Sequence, residues 1–409
     1  MPVREILSFS PILPIVMRYT EAQVTHIDQD SIVALLELPS RLREIRLSVT
    51  TSLLAKVTTL MQQPFSPLEY LHLSTQDNLV LPREFGSDIP HLRALRMDGF
   101  GLPSLPRLLL SAHSLASLQL EKIPGVGYTL EALIVCLPSI TQLETLLIRF
   151  LSPTLRGSRP VLSSTDWSLP GSSVLPVLNF IEFHGTSEYL ESLLSGISAP
   201  RLERFHIDFF NQLVFDAPQL SRFISRSEIQ QSSTHATIHS SFAGISITLT
   251  QLGVPHQLSL RLSCTQLDWQ IPFMAEVCDK LSLTLADVEQ LKISAFTSFL
   301  GEKDDMDLIH SEILELFRPF RHVKRLCITE ASLPLVSGAL GRVTGEQLLI
   351  VELPELQEIQ TETHAEVASA RKKLAPFIAA RNRSLHPVVL RGQYLFPSLL
   401  SIPNYSQQL

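Results

Sequence analysis

The sequence predicts an α/β fold of short parallel strands alternating with helical returns, and three observations predict it. One is a phrase, a leucine, two free positions, an apolar residue, one free position and a further apolar residue, which recurs before residue 210 at seven near-evenly spaced places, usually just after a proline or polar turn. The second is its spacing. The first leucines stand at Leu42, Leu68, Leu92, Leu115, Leu143, Leu178 and Leu202, at intervals of 26, 24, 23, 28, 35 and 24 residues. The third is the text between them, apolar residues at helical period that stop near a proline or a polar turn. An L-x-x-L-x-L core recurring every ~20 to 29 residues marks a leucine-rich repeat, one strand and one return per unit. The expected architecture is a horseshoe solenoid, with parallel strands on the concave face, helices on the convex face and irregular C-terminal repeats.

The seven phrases run Leu42–Leu47 (LREIRL), Leu68–Leu73 (LEYLHL), Leu92–Met97 (LRALRM), Leu115–Leu120 (LASLQL), Leu143–Ile148 (LETLLI), Leu178–Phe183 (LNFIEF) and Leu202–Ile207 (LERFHI). Between them, residues 51–63 place Leu53, Leu54, Val57 and Leu60 on one helical face. Residues 129–140 do the same with Leu130, Leu133, Ile134 and Leu137. In 187–195 a Ser187 cap precedes inward-facing Leu190, Leu193 and Leu194. The 35-residue interval contains a Ser-, Pro- and Gly-rich stretch at 151–173, expected to be a surface insertion because the phrase resumes in phase at Leu178.

After Ile207 the pattern loosens. Residues 240–249 and 258–262 alternate like strands, and the phrase returns at 288–293, 323–328 and 356–361. Longer helices are expected at 305–317 and 346–351, and a terminal helix at 366–380, interrupted at Pro376, would cap the last repeat. All 409 residues therefore read as one leucine-rich-repeat domain: a lead-in at 1–20, regular repeats at 21–210, irregular repeats at 211–380 and a tail at 381–409. A solenoid escapes the usual size limit of a single core because each repeat packs only on its neighbours.

Composition narrows the function classes. Apolar residues make up 45% and charged residues 18%, far from the composition of disorder. The net charge of -7 opposes a nucleic-acid or membrane-surface partner, both of which call for a basic field. Cys136, Cys264, Cys278 and Cys327 have no C-x-x-C spacing and sit among apolar neighbours, as free thiols in a reducing compartment do. No apolar run approaches bilayer length, and Pro11 and Pro14 break the N-terminal one, so the expected location is cytoplasm or nucleus.

Side chains alternate along a strand, so the position between the last two apolar residues of each phrase is presented outward. That column is Arg46, His72, Arg96, Gln119, Leu147, Glu182 and His206, continuing to Lys292, Cys327 and Gln360. Tyr70 and Phe180 flank it, with Arg43, Glu69, Arg93, Glu144, Glu203 and Arg204 nearby. The N-terminal end reads as basic, the middle as acidic and apolar. Exposed Tyr70, Leu147 and Phe180 in a charged surround match the anchors and rim of a protein interface.

Catalytic signals are weak. The chain lacks G-x-G-x-x-G, G-x-x-x-x-G-K-[ST], H-E-x-x-H and G-x-S-x-G. His235 and His239 have metal-chelating spacing only on a helix, and their surroundings read as strand or loop. Asp304, Asp305 and Asp307 lack the spacing of a calcium loop and suit a helix start. The chain is thus expected to be no enzyme, with no cofactor and no metal.

Several phrases together resemble the basidiomycete fungal F-box-like leucine-rich-repeat family. They include SPILPIVMRY at 10–19, VLPREF at 80–85, SEYLESLL at 187–194, APRLERFHIDFFNQLVF at 199–215, LDWQ at 267–270, ELFRPFRHVKRL at 315–326 and FIAAR at 377–381. The resemblance spans nearly the whole chain. It implies repeats that choose the substrate of a cullin-type ubiquitin ligase, behind an N-terminal F-box that docks on the ligase adaptor. In that family the F-box would already have ended where Met1 stands, so it is expected to be absent here, through truncation or loss. The functional expectation is a non-enzymatic recognition solenoid with a protein partner on its concave face, and an adaptor only if an F-box lies upstream. The alternative is a freestanding binder or inhibitor.

Overall fold

The computed structural model describes residues 5, 13–19, 26–77, 79–86, 88–123, 127–151, 173–210, 215, 217–229, 233–251, 253–263, 267–294, 306–342, 353–361 and 364–392. The chain is mixed α/β and dominated by parallel strand pairs. It divides into two compact units, 1–210 with 216–231 and 211–215 with 232–409. The division falls beside the change from regular to irregular phrases.

In the first unit the strands are β1 (Ile15–Tyr19), β2 (Leu42–Ser48), β3 (Tyr70–Ser74), β4 (Ala94–Asp98), β5 (Ser117–Ile123) and β6 (Thr145–Phe150). The short β7 (Ser173–Val174) follows, then β8 (Phe180–Gly185), the short β9 (Ile197–Ser198) and β10 (Arg204–Phe209). The order β1-β2-β3-β4-β5-β6-β8-β10 is parallel throughout, while β7 and β9 pair separately. The residues at the three apolar positions of all seven phrases are buried at 2% exposure or less, from Leu42, Ile45 and Leu47 to Leu202, Phe205 and Ile207. The phrase therefore fixes the core side of each strand. Its second position continues the ladder: Glu69 N–H donates to Arg43 O, Arg93 to Glu69, Ala116 to Arg93, Glu144 to Ala116, Asn179 to Glu144 and Glu203 to Asn179. Gly99, at φ +81, is the one residue type that fits after β4, since a Cβ there would lie 2.3 Å from Thr75 O.

The returns supply the other half of this core. Helix Thr51–Leu60 buries Leu53 and Val57, while Leu54 and Leu60 are only half-buried, so its inward face is narrower than the sequence suggested. Helix Gly127–Cys136 and the 3-10 turn Leu137–Ser139 bury Leu130, Leu133, Ile134 and Leu137 as expected. Helix Ser187–Ser195 buries Leu190, Leu193 and Leu194, but Thr186 and not Ser187 is its N-cap, and Ser187 is itself buried in the first turn. Helix Pro218–Ser225 starts without a capping side chain of its own. Glu191, from the preceding helix, accepts from Gln219 N–H at 2.6 Å and Leu220 N–H at 2.8 Å instead. The expected 1–20 lead-in contains β1, a strand of the sheet, and its partner β2 is reached through helix His26–Leu36. Of the expected insertion, residues 152–172 lie outside the described residues.

The second unit breaks the pattern where the phrase weakens. Residues 240–249 are not one strand: β11 (His235–Ser241) turns at Phe242 and Ala243 into β12 (Gly244–Thr250), and β12 runs on to β13 (Gln257–Leu262). These pairs are antiparallel. Alternation continues on both sides of the turn, so the sequence hides the reversal. Gly244 at φ +148, with Ser241 Oγ donating to its carbonyl at 3.1 Å, closes it. Parallel pairing resumes from β11 to β14 (Gln290–Ser294), β15 (Arg325–Ile328), β16 (Glu358–Thr361) and β17 (Val389–Gly392). The phrases at 288, 323 and 356 again bury their core positions.

Helix Met306–Phe317 matches expectation and carries Asp307 in its first turn, whereas Asp304, Asp305, Cys264 and the expected helix at 346–351 lie outside the described residues. Helix Leu267–Lys280, built on the LDWQ phrase, is anchored by Gln270. That side chain, at 0% exposure, accepts from Ser240 Oγ at 2.9 Å and donates to Ser241 O at 3.0 Å. The C-terminal helix is continuous over His364–Arg383: Pro376 does not interrupt it, because the proline faces solvent, where the carbonyl it frees can be hydrated. Nor does a tail begin at 381. Arg381 is 1% exposed and donates through Nη2 to Leu356 O at 3.0 Å and Pro354 O at 3.2 Å, and β17 follows it in the sheet. No helix among the described residues is long and apolar enough to cross a membrane.

Candidate partner-binding face

The sheet of the first unit presents three rows on the side away from its apolar positions. The middle row is the expected one, and the register makes it continuous: Arg46 pairs with His72, His72 with Arg96, Arg96 with Gln119, Gln119 with Leu147, Leu147 with Glu182 and Glu182 with His206. All seven side chains lie side by side across parallel strands. Leu147 differs from expectation. It is buried at 8% exposure and is not a presented anchor, because the Arg149–Glu182 bridge lies alongside it. In the second unit the column does not continue from His206: Lys292 pairs with Thr237 on one side and Cys327 on the other, and Gln360 follows. Cys327 is buried at 7% exposure between Gln290 and Gln360, each 3.4 Å from its sulfur, so it too is not presented.

The first flanking row holds Glu44, Tyr70, Ala94, Ser117, Thr145, Phe180 and Arg204 in register. Tyr70 and Phe180 are half-exposed, and each has a cation over its ring: Arg46 at 4.5 Å from the Tyr70 centroid, Arg204 at 5.0 Å from that of Phe180. Phe180 also meets the His206 ring edge-on at 5.5 Å. Both aromatics are thus held in one orientation before any partner arrives.

The second flanking row was not singled out from the sequence. It is Ser48, Ser74, Asp98 and Glu121, then Arg149, His184 and Asp208. The signal was available: in five of the seven phrases the residue just after the last apolar position is ionisable, and the pleat returns that residue to the open face. Here lies the main charge network. Arg96 Nη2 reaches Glu121 Oε1 at 2.9 Å, Arg149 Nη1 reaches Glu121 Oε2 at 3.0 Å, and Arg149 Nη2 reaches Glu182 Oε1 at 2.5 Å. Burial would lower the Arg149 pKa, but Glu182 and Glu121 outweigh it, so the guanidinium lies above its ordinary value. Lys122 pairs with Asp98 at 3.1 Å.

The N-terminal end is not a free basic patch. Glu44 lies between Arg18 at 2.9 Å and Arg46 at 2.6 Å, and Arg43 pairs with Glu69 at 3.0 Å. The Arg18 hydrogen bond first, with Arg46 behind it, holds the Glu44 carboxyl below its usual range against the opposing effect of burial. His72 is the group left over. Its Nε2 is buried without a hydrogen-bond partner, as is Nε of the neighbouring Arg96. Burial above all, then the Arg96 and Arg46 charges on either side, push His72 down to about 4, with Asp98 pulling the other way. The ring is therefore neutral at physiological pH.

His235 and His239 lie on β11 and reach hydroxyls: Thr234 Oγ1 is 2.8 Å from His235 Nδ1, and Ser294 Oγ is 3.1 Å from His239 Nδ1. Among the described residues no group of three or more His, Cys, Asp or Glu is placed to hold a metal ion.

No protein-family model matches the sequence, and no curated protein matches it. Among solved structures, a leucine-rich-repeat protein of Leptospira interrogans is similar at 12% identity and a TM-score of 0.26, over 88% of this chain and 94% of that one.

Proposed function

We propose that this chain is a non-enzymatic leucine-rich-repeat receptor that binds a protein partner on the strand face of its first unit, the concave side of a horseshoe solenoid. One observation carries the reading: half-exposed Tyr70 and Phe180, each fixed beneath an arginine, sit in a sheet face whose other charges are mutually paired. Oriented aromatics in a polar surround are the usual anchors of a protein interface, because little side-chain freedom is left to lose on binding. A protein of this kind would act in the cytoplasm or nucleus. By the resemblance of its phrases, it would be the substrate-choosing part of a cullin-type ubiquitin ligase subunit.

The test is site-specific photo-crosslinking in cells expressing the chain, with the reactive residue at Gln119 on the face or at exposed Lys56 on helix Thr51–Leu60. A protein captured from position 119, absent from position 56 and reduced about tenfold by Tyr70→Ala with Phe180→Ala is the expected result. Identical capture from both positions would refute the reading. The ligase role is tested separately by reconstituting the captured partner with adaptor, cullin and a version of the chain carrying an F-box ahead of Ser10. Ubiquitin transfer supports it, whereas binding without transfer makes the chain a freestanding binder or inhibitor.

A further inference from the structure

On the helical side of the first unit, a cleft opens between helix Ser187–Ser195, β9 and helix Pro218–Ser225. Its floor is apolar and nearly closed: Leu194, Ile197, Ala199 and Phe223 are between 3% and 6% exposed. Its lip carries Arg222 and Arg226, one helical turn apart and both exposed. Neither makes an ion pair or hydrogen bond through its guanidinium with the described residues, unlike the arginines Arg18, Arg43, Arg46, Arg96 and Arg149 of the strand face.

The acid on the facing helix, Glu191, is committed elsewhere. Both carboxylate oxygens of Glu191 are occupied by the backbone N–H groups of Gln219 and Leu220 at the opposite end of the same helix. That contact also locks the helix Pro218–Ser225 to the helix Ser187–Ser195, so the cleft is formed before anything enters it. The end of the helix where the arginines stand carries about half a negative charge from its unpaired carbonyls, which tempers their field. The remaining excess suits one or two carboxylates better than a phosphate dianion, for which helix N-termini and not C-termini are the usual seat.

We infer that Arg222 and Arg226 form a second recognition site, which takes an acidic peptide segment of a protein partner. Its carboxylates meet the two guanidinium groups and a small apolar side chain reaches the floor formed by Phe223 and Ile197. Planar guanidinium groups accept carboxylates in two-point geometry, which gives such a site direction as well as charge. The site lies on the helices and is independent of the strand-face reading, so either can fail alone.

A displayed library of random dodecapeptides, sorted on the full-length chain, tests it. Selected peptides should be enriched in Asp and Glu adjacent to Ala or Val. A synthetic peptide from that set should lose about tenfold in affinity against Arg222→Gln with Arg226→Gln, two exposed changes that leave the core intact. Arg107→Gln, an exposed substitution on another helix of the same unit, should leave binding unchanged. Raising salt from about 0.05 to 0.5 M should weaken binding to wild type and leave the double variant nearly flat. No acidic enrichment, acidic peptides that bind the double variant equally well, or displacement by millimolar inorganic phosphate alone would each overturn the site.

Discussion

The two units use the same phrase and differ in what surrounds it. Among the described residues of the first, eight strands pair in parallel in chain order, so a position in the phrase predicts both neighbours of a side chain. Among the described residues of the second, three antiparallel strands, β11 to β13, stand beside four parallel ones, and Lys292 finds Thr237 where a further repeat would have placed a phrase residue. Core positions are nonetheless equally dry in both, as Leu118 and Leu326 at 0% exposure show. The apolar half of the phrase is thus a local instruction, set by pleat and burial. The presented half depends on the neighbouring strand, and is legible only where the repeat is regular.

The largest expected effect probes that equality. Leu118→Ala in β5 and Leu326→Ala in β15 each remove a side chain at 0% exposure, and each should cost about 2–5 kcal/mol. Urea unfolding followed by circular dichroism measures both. A loss below about 1 kcal/mol at Leu326 alone would mean that the second unit is loosely packed despite its matching burial.

The next effect belongs to the second unit alone. Gln270→Leu removes the link between helix Leu267–Lys280 and the end of β11, leaving Ser240 Oγ and Ser241 O without their buried partner. The expected cost is about 1–3 kcal/mol, from unsatisfied polar groups and not from lost apolar contact. If so, adding Ser240→Ala should recover part of it, because only one orphaned group then remains. A double variant no more stable than Gln270→Leu would show that the hydrogen bond is incidental to the packing of that helix.

How much of this was legible follows from the same contrast. The seven phrases, their buried positions and the middle row from Arg46 to His206 could be read directly, because a period-2 strand and a period near 24 residues leave one consistent arrangement. Strands β1 and β17 were not: Ile15–Tyr19 lacks the leucine phrase, and the match at 385–390 (LHPVVL) is out of step with its strand, where Leu390 and not Val388 pairs with Ile359, so both are defined by pairing with β2 and β16. The turn at Phe242 was hidden because alternation survives a reversal when the strands on both sides are half-buried. Leu147 and Cys327 were placed on the correct face, but their burial comes from Arg149, Gln290 and Gln360, residues reached across strands. The basic end was misread for a related reason. Glu44 stands in the same phrase as Arg43 and Arg46 and bridges Arg18 and Arg46, while Glu69 in the next phrase pairs with Arg43, so the arginines cannot be counted apart from the acids beside them.

His72 in β3 and His235 in β11 are both shifted down by burial, but their neighbours differ. Beside His72, Arg96 and Arg46 add to the effect of burial and Asp98 opposes it. At His235 a hydrogen bond to Gln290 acts against burial, Arg325 works with it and Glu289 against it. His72 should therefore titrate near 4 and His235 below an ordinary histidine, which imidazole NMR of selectively labelled protein can read directly. The consequence for stability has a definite sign. A neutral histidine in the folded state, against an ordinary value near 6.5, means that only the unfolded chain takes up the proton as pH falls from about 6.5 toward 4, so stability falls over that window. Between pH 7 and 5 the loss attributable to His72 should be about 1 kcal/mol, well under the full shift because the ring is only partly buried. His72→Gln should remove that slope and leave the remainder of the pH profile parallel to wild type. An unchanged slope in the variant would place the proton uptake elsewhere and would mean that the two flanking arginines are screened at this position.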